Sequence, residues 1–278
     1  MTRKINYGKY TNLPLTLMHL SELDRRLEKE GYSLDMDLSL ILDTERIAYD
    51  CTPCDVITFA SIGADGIHYG LLTDFGTVEN LEEAFVICIS PMDYDNPFKI
   101  VARNLREFVR LVCTLRDASI ISNFQYFEEE EDYHECLEEF ADEIDEEYAA
   151  RNSFIINQLK TAVEGPLIED IYDYVERQVK KERENQIILH TMDGLGIRSN
   201  QPKITKHRLY KLEKDMNVNL PDVRNFFGSA SLESKLAFIR EAQFTYLLMD
   251  EPELKKFLIK EMQSIGLTDE AERLKYTY

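Results

Sequence analysis

The chain has 278 residues, 44% of them hydrophobic, and a formal net charge of −20. That apolar content supports a packed core and excludes a disordered chain. No apolar run reaches the ~20 residues of a membrane-spanning helix, and the acid surplus argues against direct nucleic-acid binding, because phosphates demand clustered cations.

The first residues, "MTRKINYGKYTNLPLTL", lack the apolar core and small-residue finish of a signal peptide. The cysteines are Cys51, Cys54, Cys88, Cys113 and Cys136, an odd number in a chain too long to depend on disulfides. Reduced thiols and a cytoplasmic location are expected.

"TLMHLSELDRRLEKEG" places Leu20, Leu23 and Leu27 at helical spacing and stops at Gly31. "SLDMDLSLILD" alternates, with Leu34, Met36, Leu38, Leu40 and Leu42 on one face, and predicts a strand with one wet side. In "TPCDVITFASIG", Thr52 reads as an N-cap, Pro53 as the first helical residue and Gly63 as a helix end, which predicts a short helix. "GADG" is turn chemistry, "IHYGLL" a strand and "TDFG" the turn after it. "AFVICIS" reads as a central strand, and "FKIVARNLREFVRLVCTL" as a helix with Val101, Leu105, Phe108, Val109 and Val112 on one face.

Residues 127–150 carry 13 Asp/Glu and no Lys/Arg. Within them Tyr133, Leu137, Phe140 and Ile144, then Tyr148, keep helical spacing, so the run predicts an acidic amphipathic helix. "GPLIEDIYDYVERQVKKEREN" predicts a helix starting at its proline, and "QIILHTMDGLG" either a lone strand and turn or a helix-to-loop passage. Three closing helices follow, with Ser231, Asp250 and Thr268 as caps. The expected fold class is α+β: a mixed or antiparallel sheet with flanking helices over residues 1–125. Residues 126–278 hold the acidic helix and a helical C-terminal region.

The chemical candidates are few. Cys51 and Cys54 form a C-x-x-C pair, the spacing of disulfide oxidoreductases, but Cys51 precedes the cap and no βαβ unit follows. Zinc would need two more ligands at matching spacing, and none is present. Asp65, His68 and Asp74 suggest a metal site or an acid–base pair. An extended chain would hold His68 and Asp74 about 20 Å apart, at ~3.3 Å per residue. No nucleophile elbow, zincin helix, Walker loop or dinucleotide fingerprint occurs. No cofactor and no metal is therefore expected.

The acidic helix is the better candidate, as a partner-binding surface made of Glu128, Glu129, Glu130, Glu131, Asp132, Glu135, Glu138, Glu139, Asp142, Glu143, Asp145 and Glu146. Two plainer readings compete with it. One is a solvated face. The other is internal pairing with the basic stretch Lys203, Lys206, Arg208, Lys211 and Lys214.

"TPCDVITFASIGADGIHYGLL", with Pro53, Phe59, Gly63 and Gly66, resembles the core signature of the SUKH superfamily, which includes bacterial toxin-immunity proteins and fungal cell-wall-synthesis regulators. The resemblance covers roughly residues 15–125. It departs from the family in having no Trp and in carrying residues 127–278 beyond the minimal domain. It implies a non-enzymatic protein-binding module, in its specific form an immunity protein that occludes the functional surface of a basic toxin. The alternatives are a regulatory scaffold, or a thiol-dependent or metal-assisted enzyme built on Cys51, Cys54 and His68.

Overall fold

Between residues 41 and 102 short apolar runs alternate with turns. In the computed structural model, which describes residues 3–43, 45, 47–163, 165–198, 206–212 and 218–277, these runs form one antiparallel sheet. Its strands are β1 (Ile41–Leu42), β2 (Val56–Ser61), β3 (His68–Leu72), β4 (Phe85–Ile89) and β5 (Phe98–Ala102). Each strand pairs antiparallel with the next in chain order, so no crossover connection is needed. Every residue of β3 and β4 is buried. Both faces are covered, which is why these strands read as continuous apolar runs.

Helices α1 (Arg3–Tyr7), α2 (Leu15–Lys29), α3 (Leu34–Leu38), α4 (Leu105–Leu115) and α5 (Ala118–Ser122) surround the sheet, with α6 (Glu130–Glu143) and α7 (Glu146–Ala162) following. The α4 side chain Phe108 meets Phe59 of β2 edge to face at 5.5 Å and Tyr69 of β3 at 4.8 Å. The buried Tyr69 hydroxyl donates to the Ala118 carbonyl at 2.6 Å, which satisfies its polar end inside the core. This core extends through Ile155 and Leu159 of α7 to Val179.

The remaining chain continues as α8 (Ile171–Asp173), a π-helical turn (Tyr174–Val179) and α9 (Lys180–Gln186). A small hairpin of β6 (Ile187–Leu189) and β7 (Ile197–Arg198) comes next. Helices α10 (Leu220–Ser229), α11 (Leu232–Phe244), α12 (Leu247–Asp250), α13 (Pro252–Ser264) and α14 (Thr268–Lys275) complete the fold. They enclose a second hydrophobic cluster, which two residues from the sheet half join, Cys54 and Phe75. Among the described residues no helix is long and apolar enough to cross a membrane.

The structure corrects several sequence expectations. Residues 34–38 are a helix, not a strand: Ser33 caps it, its Oγ accepting the Met36 N–H at 2.9 Å. Leu34 and Leu38 are buried one turn apart while Met36 is 76% exposed. Positions 34 and 38 share a face at either period, so the alternation fitted a strand as well as a helix, and the cap decides.

The predicted helix at 53–63 is the strand β2, and Pro53 starts no helix. Thr52 is not an N-cap; its Oγ1 accepts the Tyr49 N–H at 2.9 Å. The β-branched run Val56, Ile57 and Thr58 is buried on both sides, which suits a central strand. The helix expected over 98–115 divides into β5 and α4, with Asn104 between them accepting the Glu107 N–H at 3.0 Å. The acidic helix also divides, because Ile144 adopts an extended backbone and Asp145 caps α7. The helix read from Pro166 starts instead at Ile171, capped by Asp170. "QIILHTMDGLG" supplies β6 and the hairpin turn, and α10 is an additional element. Ser231 does cap α11, whereas Asp250 lies within α12 and Thr268 is the first residue of α14.

Candidate functional site

The acidic surface is built on two fixed helices. Tyr133 is buried on the inner side of α6, within 5.5 Å of Phe124 and 6.1 Å of Tyr172 between ring centroids. This aromatic contact turns the opposite side outward. Glu128, Glu129, Glu131, Glu135, Glu138, Glu139, Asp142, Asp145 and Glu146 are exposed.

The other members have local work. Asp132 accepts the N–H groups of Glu128 and Glu129 at 2.8 and 2.9 Å, which holds its carboxyl below the usual range. Glu130 pairs with Arg177 at 3.6 Å. Asp145, though exposed, caps α7 by accepting the Tyr148 N–H at 2.7 Å. Glu143 is the last residue of α6. A cation that reaches this helix is thus Arg177, and Lys203 and Lys214 of the proposed basic stretch lie outside the described residues.

The C-x-x-C segment turns out to be an anchor point. The Gln243 side chain of α11 reads its backbone twice, accepting the Cys54 N–H at 2.9 Å and donating to the Thr52 carbonyl at 3.0 Å. Arg273 of α14 donates to the Cys54 carbonyl at 2.6 Å. The two thiols face different clusters, Cys51 the sheet core and Cys54 the second one. Burial pushes the Cys51 thiol up to about 11 and raises Cys54 further. Cys88 and Cys113 are also buried, each pushed up to about 12. A thiol so disfavoured as thiolate is a poor nucleophile at neutral pH.

His68 and Asp74 are separately committed. The His68 Nδ1 donates to the Gly66 carbonyl at 2.7 Å, and Nε2 meets the Thr52 hydroxyl at 3.2 Å. Asp74 accepts two bonds from Arg183, at 2.9 and 2.7 Å. Asp65 sits in the β2–β3 turn with φ +50°. The structure thus engages His68 and Asp74 with different partners, Gly66 and Thr52 for one and Arg183 for the other. Among the described residues no group of three or more His, Cys, Asp or Glu side chains is placed to hold a metal ion.

What sequence reasoning missed is a buried charge network joining the two halves of the chain. Arg183, Arg240 and Arg273 are the largest fully buried side chains. Arg240 donates to Asp55 at 2.5 Å and to the Gly196 carbonyl at 3.1 Å, and its Nε lies 3.6 Å from Asp193. Arg273 pairs with Glu270 at 3.0 Å. Burial works against the Arg240 charge, but Asp55 and Asp193 outweigh it and raise its pKa. The turn that brings Asp74 here is strained: Asp74, Phe75 and Gly76 all have left-handed backbones, with φ of +48°, +53° and +75°. Phe75 recovers that cost by entering the second cluster beneath Arg240, whose guanidinium lies 5.4 Å from the ring centroid.

Beside the network lies a cleft of about 350 Å³, lined by β5, the π turn, the β6–β7 turn and Phe244. Lys99 and Glu176 pair at its rim at 2.5 Å. A π turn inside a helix frequently marks a functional position.

Fold and site together define an α+β protein with an acidic helical face and a charge-clamped helical half. Comparison with protein-family models and with curated proteins finds no match to this chain.

Proposed function

We propose that this chain is a protein-binding module whose acidic surface on α6 and the start of α7 receives a basic partner. The observation that carries the reading is the fixed outward display of Glu131, Glu135, Glu138, Glu139 and Asp142, on a helix whose inner side is packed by Tyr133. A rigid array of like charge raises the encounter rate with a cationic surface and orients it on arrival. Helix packing holds the array in place, so little ordering cost remains at binding.

The specific form is the one implied by the SUKH resemblance: an immunity protein that covers the functional surface of a basic toxin, with acidic side chains standing where phosphates would bind. A regulatory scaffold that binds without inhibiting is the second form. The enzyme reading has less support, because Cys51, Cys54 and His68 are buried and engaged with the fold.

The test is affinity capture from the protein's own cells with the wild-type chain and with Glu131, Glu135, Glu138 and Glu139 all changed to Gln. The reading predicts a stoichiometric basic protein that is lost with the variant and weakened by salt. Recovery of no such protein at low as well as moderate salt overturns it. Protection of cells from that partner's toxicity separates immunity from scaffolding.

A further inference from the structure

Three large apolar side chains stand exposed at one end of the sheet. Met92 and Tyr94 lie on the β4–β5 loop, residues 90–97, and Tyr126 lies just before α6; they are 66%, 59% and 56% exposed. Hydrogen bonds hold the two segments side by side. The Asn96 Nδ2 donates to the Gln125 carbonyl at 3.3 Å, and the Gln125 Nε2 donates to the Ser90 Oγ at 2.5 Å. Tyr126 is thus fastened beside the loop that carries Met92 and Tyr94.

The loop is held in shape by its own bonds. The Ser90 N–H donates to the Pro97 carbonyl at 2.8 Å, and the Asp93 Oδ1 accepts the N–H groups of Asp95 and Asn96 at 3.2 and 3.0 Å. Tyr94 leans on the ring of Tyr246, 5.6 Å away between centroids. Tyrosine and methionine exposed together on a fixed segment are side chains that protein interfaces bury at their centres.

The charge around the patch selects its occupant. Residues 90–97 and 117–150 carry no Lys or Arg. Asp95 adjoins Tyr94 in sequence, Glu128 and Glu129 follow Tyr126 closely, and all three carboxylates are exposed. Lys99 of β5 and Arg177 of the π turn face Glu176 and Glu130. Such a border repels a second copy of this chain, whose net charge is −20, and also the phosphates of lipid or nucleic acid. A guanidinium fits it: the planar cation lies over a tyrosine face while its N–H groups meet a carboxylate.

We propose that Met92, Tyr94 and Tyr126 are the anchor of the partner interface, where arginine side chains of a basic protein stack on the two tyrosine rings and Met92 covers their stems. The proposal rests on the reading of the acidic face as a partner-binding surface. It adds where on that side of the molecule the partner is gripped, and that the gripped cation is arginine rather than lysine. The acidic helix then supplies attraction at a distance, and the patch supplies the contact that discriminates.

Fluorescence anisotropy with labelled nona-arginine and nona-lysine peptides tests this on the whole chain at moderate salt. Changing Met92, Tyr94 and Tyr126 together to Ser should weaken the arginine peptide about tenfold, from the loss of two ring–guanidinium contacts, and the lysine peptide clearly less. Changing Glu131, Glu135, Glu138 and Glu139 to Gln should weaken both peptides. A patch variant that binds like wild type, while the Gln variant weakens both peptides, overturns the proposal and leaves the acidic-face reading standing. Binding that neither variant changes overturns the two together, and an equal loss of both peptides in the patch variant overturns the choice of arginine. Carbon NMR of labelled methionine methyls and tyrosine rings needs no variant. Saturation with the arginine peptide should shift Met92, Tyr94 and Tyr126 and leave Met18, exposed on α2 beside Arg3 and Arg25, in place. Unshifted patch signals overturn the proposal, as does sedimentation that finds dimers of the wild-type chain and monomers of the patch variant, which would give the patch to a second copy.

Discussion

Arg240 of α11 places its Nη2 2.5 Å from the Asp55 Oδ2, across 185 residues of sequence and with both side chains buried. The same carboxylate oxygen accepts the Phe75 N–H at 3.2 Å, so one aspartate joins β2, the strained turn after β3 and the C-terminal helices. The C-x-x-C segment lies immediately before it and is gripped by the same helices.

Removing one partner of this pair should be far worse than removing both. Arg240→Met leaves Asp55 buried without its guanidinium and should cost about 3–5 kcal/mol. In the double variant with Asp55→Leu the losses should fall clearly short of additive. Urea unfolding of the four proteins measures the coupling, and strict additivity would show that the pair is not a unit.

Thiol reactivity should sort by burial. Cys136 is half-buried, with Asn123 Nδ2 3.4 Å from its sulfur, whereas the other four cysteines are buried. Titration with a chromogenic disulfide reagent at neutral pH should modify Cys136 first. The remaining four should react only on unfolding, because the thiolate is the attacking species. Fast modification of Cys54 in the folded protein would revive a redox role.

Gly70 should not tolerate a side chain. It sits in β3 opposite Thr58, where β2 shifts register, and an added Cβ would lie 2.2 Å from Val56 Cγ1. Gly70→Ala should cost about 1–3 kcal/mol through overpacking. Combining it with Val56→Ala should recover part of that loss, since the clash is with a side chain. Thermal unfolding of the single and double variants checks both statements.

The carboxylates of α6 should divide by role. Changing Glu135, Glu138 and Glu139 to Gln should leave the melting temperature unchanged or slightly raised, since like charges are being removed from an exposed face. Asp132→Ala should lower it, because two backbone N–H groups lose their acceptor at the helix start. Circular dichroism melts distinguish the two classes.

Much of the sheet half was legible because its elements carry their own period. β3 and β4 are short apolar runs between turn residues, and α2 and α4 show clear apolar stripes. Residues 53–63 misled because Thr52 and Pro53 form a strong local helix signal, while the evidence for a strand lies in neighbours on both sides. Val101 fitted a helical stripe although it belongs to β5, since its position is in phase with both elements. The acidic face was readable from composition. The division of its carboxylates among capping, pairing and exposure was not, because that depends on where Tyr133 and Arg177 fall in space.

By itself the sequence determined the α+β class, the buried strands β3 and β4 and the concentration of acid in residues 127–150, because these follow from local period and composition. Tertiary structure alone decided that Arg183, Arg240 and Arg273 are core residues. An arginine reads as surface until a carboxylate meets it inside, and here two of those carboxylates come from 109 and 185 residues away. The same long-range pairing decided that Cys51 to Asp55 is an anchor for the C-terminal helices, since the Cys54 backbone and the Asp55 carboxylate are met by side chains of α11 and α14 and by the turn after β3.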